Sequence, residues 1–189
     1  MPITGENESP LRVLLVEDEP LDAELMIDQL RSDGLAIETR VVDDEDGFRD
    51  AIGTFEADVI ISDLSMPGFS GYRALEILRE QDTLMPFIFV SGTIGEEAAI
   101  KALKSGATDY LLKGRLARLE SAVRRAVQQA AESAARERAE TELMRAQRFE
   151  SLAMLAGGLS HDLRNMLTTA QLFADRMEDS DDPMVKRAA

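Results

Sequence analysis

Six positions in this chain of 189 residues have side chains whose type and placement could do chemistry. Glu17 and Asp18 close an apolar run, LRVLLV; Asp63 closes ADVIISD; Ser91 lies near the end of PFIFVSG; Lys113 follows TDYLL. The sixth is His161, the only histidine, in GGLSHDLRN. Three carboxylates held close together repel one another and raise some of their pKa values unless a cation intervenes. An all-oxygen set of this kind suits Mg²⁺, which prefers octahedral geometry, keeps waters and shares phosphate oxygens; Mn²⁺ could substitute. A carboxylate beside such an ion can attack a phosphoryl group, a reaction that asks mainly for in-line positioning and charge neutralisation. Asp63 lies between the acidic pair and the Ser91/Lys113 pair, which makes it the expected nucleophile. Lys113 would then hold one phosphoryl oxygen and Ser91 another.

These positions come together only if the elements carrying them form one sheet. LRVLLV (11–16), AIETRVV (36–42), ADVIISD (57–63), PFIFVSG (86–92) and TDYLL (108–112) have strand length and strand composition. Between them lie amphipathic stretches such as LDAELMIDQLRS and YRALEILREQ, and Pro20 suits a helix start. Five β/α alternations with short connections predict an α/β fold, a doubly wound (βα)5 domain with a parallel sheet of order 2-1-3-4-5. Consecutive apolar residues in the central runs fit strands buried on both faces. In such a sheet ligands bind beyond the carboxyl ends of the strands, where all five site residues fall.

From about Arg115 the strand signals stop. Leu116, Leu119, Val123 and Val127 make the stripe of a last domain helix, which continues through QQAAESAARERAETELMRAQ, rich in good helix formers. Leu152, Leu155, Leu159, Leu163, Met166, Ala170, Phe173 and Met177 then recur at spacings of three and four, a helix–helix packing seam. EDSDDP (178–183) reads as a turn, with Asp182 and Pro183 suited to opening another helix. A long helix followed by a truncated helical hairpin is expected. The expected divisions are a disordered tail over 1–10, an α/β domain over 11–127, a coiled-coil-like helical linker over 128–147 and a partial helical domain over 148–189.

VLLVEDE, IISDLSMPG, FVSG and DYLLKG together resemble the receiver domain of response regulators. The resemblance implies a phosphorylated aspartate at Asp63, an acidic metal-binding pair at Glu17 and Asp18, a further metal ligand from the backbone carbonyl of Ser65, and a hydroxyl and a lysine at Ser91 and Lys113. It also implies a switch aromatic at Tyr110, turning inward as Ser91 moves toward the phosphoryl group. Gly114 stands where the family usually has proline.

His161 has no second His or Cys to help it bind a metal. Leu159 and Leu163 occupy the seam, so His161 points away from it, at roughly 200° round the helix. Asp162 is adjacent and could orient the imidazole or take its proton, and Asn165 follows one turn on. Gly157 and Gly158 each cost a helix interior about 1 kcal/mol relative to alanine, softening it just before the histidine. LAMLAGGLSHDLRNML resembles the phosphoacceptor segment of the dimerisation and histidine-phosphotransfer domain of sensor histidine kinases, with His161, Asp162 and Asn165 on its motif. Met166 stands at the usual proline.

The formal charge of −15 is concentrated: residues 1–114 hold 24 acidic against 9 basic residues, and residues 115–189 hold 12 of each. An acidic field of this kind repels nucleic acid and suits a divalent cation or a basic protein surface. The chain has no cysteine, no apolar run of about 20 residues and no secretory leader pattern, so a cytoplasmic protein without a membrane span is expected. No P-loop or other nucleotide motif appears, so the chain alone is not expected to transfer from ATP. The expected partners are a second copy through residues 120–177 and a downstream ATP-binding kinase domain, or a separate histidine kinase or receiver. The alternatives are a non-catalytic, phospho-regulated dimerising adaptor and a metal-dependent phosphohydrolase. Ser65 stands where the hydrolase would want a second aspartate.

Overall fold

The computed structural model describes residues 9–92 and 96–178, without the side chains of 150–162, 164, 173, 174, 177 and 178. Its elements are β1 (Leu11–Val16), α1 (Pro20–Ser32), β2 (Ile37–Val42), α2 (Glu45–Thr54), β3 (Val59–Asp63), α3 (Gly71–Gln81), β4 (Phe87–Ser91), α4 (Glu96–Lys104), β5 (Asp109–Leu112), a 3₁₀ turn (Lys113–Arg118) and α5 (Leu119–Glu178). All strand pairs are parallel, in the order β2-β1-β3-β4-β5. This is the expected doubly wound sheet.

Alternation along the strands sends successive side chains to opposite faces. Leu14, Val16, Ile60, Phe87 and Phe89 pack on one side with Phe48 and Ala51 of α2, Ala74, Leu75 and Leu78 of α3, and Ala102 of α4. Val13, Leu15, Val59, Ile61, Ile88 and Val90 pack on the other with Met26 and Leu30 of α1 and Leu119, Val123 and Ala126 of α5. Burial on both faces explains why the central runs are apolar without a gap.

Two helix starts fix loops around the site. Pro20 opens α1 at a position where its missing N–H costs nothing. Ser70 caps α3, its Oγ accepting from the Arg73 amide at 3.2 Å. At Gly71 a Cβ would overlap the Asp63 carbonyl oxygen and sit 2.7 Å from Phe89 Cε1 and 2.8 Å from Ser62 Oγ. Glycine is what allows α3 to press against the end of β3.

The chain divides into two compact units, Met1–Ala135 and Arg136–Ala189. The described part of the second unit is helical throughout, including Gly157 and Gly158. On it Leu143, Met144, Phe149, Leu163, Met166, Leu167 and Leu172 are exposed. Most of the expected tail (1–8), and the turn and second helix expected from residue 179 on, lie outside the described residues. Among the described residues no helix is long and apolar enough to cross a membrane.

Candidate functional site

The carboxyl ends of β1, β3, β4 and β5 meet as the strand order requires. Val16 pairs with Ser62, Asp63 with Val90, and Ser91 with Leu112, so Glu17, Asp63, Ser91 and Lys113 fall at one edge. Glu17, Asp63 and Ser91 are buried, and Asp18 is exposed. Glu17, Asp18 and Asp63 each place a carboxylate oxygen within 4.8 Å of the others. The Ser65 amide donates to Asp63 Oδ1 at 3.2 Å, which orients the carboxylate from the loop that follows it.

Lys113 Nζ is held three ways. It lies 2.6 Å from Asp22 Oδ2, 2.7 Å from Asp63 Oδ2 and 2.8 Å from Glu17 Oε2. The first two contacts are hydrogen bonds, and the third is an ion pair with the buried Glu17 Oε2. Burial, the largest single influence on Lys113, works to lower its pKa, but the contacts with Asp22, Asp63 and Glu17 together outweigh it and hold the ammonium well above its ordinary value. At Glu17 burial wins over the Lys113 contact and the Glu19 amide, and pushes the carboxyl up.

Three carboxylates held this close repel one another, and a hard cation is a partner that such an oxygen set fits. Glu17, Asp18 and Asp63 therefore have the donor type and spacing for a divalent ion of the magnesium kind. Tyr110 is half-buried on β5 and packs against the cluster that contains Phe87 and Phe89.

The helical residues singled out from sequence, His161, Asp162 and Asn165, belong to the second unit. His161 and Asp162 belong to α5 by backbone, and their side chains lie outside the described residues. Asn165 is exposed, and its carbonyl accepts from Thr169 Oγ1 at 2.8 Å.

Sequence reading missed two residues at the strand edge. Asp22 reads as an ordinary acidic residue in the first turn of a helix, and only its position two residues after EDEP pointed to the site. Gly71 reads as a helix start, with no sign of how closely it approaches Asp63.

The model of the response regulator receiver domain matches residues 13–124, more than half of the chain. The chain belongs to the response-regulator receiver family. Its receiver is 33% identical over 120 residues to the cell cycle response regulator CtrA of Brucella ovis, a match that takes in 61% of this chain and 51% of that protein. The chain thus spans about half the length of the curated relatives it matches. Among solved structures, the Francisella response regulator 1452 receiver domain is 32% identical with a TM-score of 0.57, covering 63% of this chain and 98% of that one. The receiver domain of the sensor histidine kinase PA1611 from Pseudomonas aeruginosa, solved with magnesium in its active-site cleft, is 26% identical with a TM-score of 0.56, covering 64% of this chain and 99% of that one. The receiver is a module of two-component signalling that takes a phosphoryl group on an aspartate.

Proposed function

We propose that Asp63 is the phosphoacceptor, in a Mg²⁺-dependent reaction, and that the receiver regulates or exchanges phosphate with a histidine-phosphotransfer helix carrying His161. The observation that carries the first part is the position of Asp63: its carboxylate lies beside Glu17 and Asp18, bonds Lys113, and ends a strand next to the one ending in Ser91. An Asp63 oxygen attacks phosphorus of a phosphodonor such as acetyl phosphate. The new P–O bond forms as the bond to the acetate oxygen breaks, and acetate leaves with the electron pair. Lys113 donates to one phosphoryl oxygen and Ser91 to another. The Ser65 amide and the Lys113 ammonium orient the Asp63 carboxylate. Bound through Glu17, Asp18, Asp63 and the Ser65 carbonyl, Mg²⁺ (or Mn²⁺ in its place) would neutralise charge on the phosphoryl oxygens. Tyr110 is the proposed switch residue.

For the helical part, the support is the SHDLRN sequence and the exposed Leu163 and Met166 on the seam, an apolar edge that suits a second copy of the chain. In a parent protein an ATP-binding domain would phosphorylate His161. Phosphorylation at Asp63 would govern that step through α5, or receive the group from it.

Labelling with acetyl phosphate tests the acceptor. Label is expected with Mg²⁺, and none after chelation or in Asp63→Asn; retained label in that variant overturns the assignment. Mixing the chain with a separately made ATP-binding kinase domain and labelled ATP tests His161. Label lost in His161→Gln is expected, whereas no label on the parent chain favours an adaptor that only dimerises.

A further inference from the structure

The three carboxylates on Lys113 do not have the same obligations. Glu17 and Asp63 belong to the group that fits a cation, and Asp63 is also the proposed nucleophile. Asp22 belongs to neither. It sits in the first turn of α1, its side chain is about a third exposed, and its Oδ2 makes the shortest of the three contacts, at 2.6 Å. An ammonium has three N–H donors on a flexible four-carbon stem, so its place is set by what holds it. Once a cation draws on Glu17 and Asp63, and once one Asp63 oxygen carries phosphorus, two of the three holds on Lys113 weaken together. Asp22 is the hold that remains.

We propose that Asp22 is a positioning residue, anchoring the Lys113 ammonium from α1 so that its other N–H groups meet the phosphoryl oxygens at Asp63. The proposal rests on the reading of Asp63 as acceptor. The anchor acts only through Lys113. A residue that simply tied α1 to the turn after β5 would change stability and leave the reaction alone.

The test uses the full chain with Asp22→Ala, Asp22→Asn, Asp22→Glu, Lys113→Met and the Asp22→Ala/Lys113→Met pair. Two measurements are made: the rate of acetyl phosphate labelling in Mg²⁺, and the ¹H–¹⁵N signal of the Lys113 ammonium in metal-free protein. Removing the charge should slow labelling by about tenfold, the scale of one lost charge-assisted hydrogen bond. Asp22→Glu should restore most of the rate. In the Lys113→Met background Asp22→Ala should change nothing further, because coupled residues are not additive. The Lys113 signal should exchange faster with water in Asp22→Ala and stay unchanged in the control Glu24→Ala. Equal slowing in both backgrounds, or a labelling rate within twofold of the parent, overturns the proposal while leaving the Asp63 reading intact. A parent chain that takes no label at all overturns the reading, and the proposal with it.

Discussion

Asp63 and His161 are two candidate acceptors in one chain, built on opposite plans. Asp63 is surrounded by groups drawn from distant parts of the sequence: Glu17 and Asp22 lie more than 40 residues before it, and Lys113 lies 50 after it. His161 has its chemical company within four residues on the same helix. The receiver site is made by the sheet topology and is finished when the domain folds. The helix supplies a motif and an apolar edge, and under the proposed function its neighbours come from another chain or another domain. One plan builds a site by folding; the other, as proposed, by assembly.

That contrast can be broken by comparing large apolar side chains in the two units. Phe89, fully buried against Phe87 and Tyr72, should cost about 3–5 kcal/mol on replacement by alanine. Leu167, exposed on α5, should cost no more than about 0.5 kcal/mol in a monomer. Urea denaturation followed by circular dichroism measures both. A large loss at Leu167 would show that the helix already has a partner in solution.

A smaller effect is expected at Gly71→Ala, where overpacking against Asp63, Phe89 and Ser62 should cost about 1–3 kcal/mol. It should also slow acetyl phosphate labelling, because the displaced backbone belongs to Asp63. Unchanged labelling would mean that α3 yields while the end of β3 stays put.

The smallest effect concerns pH. Glu45 accepts from Arg49, burial opposes this, and Arg73 adds a bond from α3, so its carboxyl lies below the usual value of 4.5. The stability it contributes is therefore fully present above pH 4.5 and lost as pH falls through the lowered value. Because the pair is exposed, the difference between the parent and Glu45→Gln should be slight at neutral pH and absent in acid. A difference that grows on acidification would contradict the assigned direction.

The strands were legible because burial on both faces writes itself into sequence as unbroken apolar runs. In each case the observed strand lies within the expected one, trimmed by up to two residues at its ends. Glu17, Asp63, Ser91 and Lys113 were legible for the same reason, since a residue at the end of a parallel strand is placed by topology before any side chain is known. Asp22 was not. Its role depends on where the Lys113 stem points, and no periodicity encodes that direction. Gly71 was hidden in the same way, because the atoms it must avoid come from β3 and β4. The 3₁₀ turn at Lys113–Arg118, with Arg115 at φ −133° and ψ 38°, has no strong signal beyond Gly114.

The reach of Lys113 also bears on how the protein is made. Its bond to Asp22 spans 91 residues, and its bond to Asp63 spans 50. A chain emerging from the ribosome exposes Glu17, Asp18 and Asp63 well before Lys113 is synthesised, and the ammonium takes its place only when β5 completes the sheet edge. Until then the acidic residues lack their counter-charge, and the site as described exists only once the domain is whole.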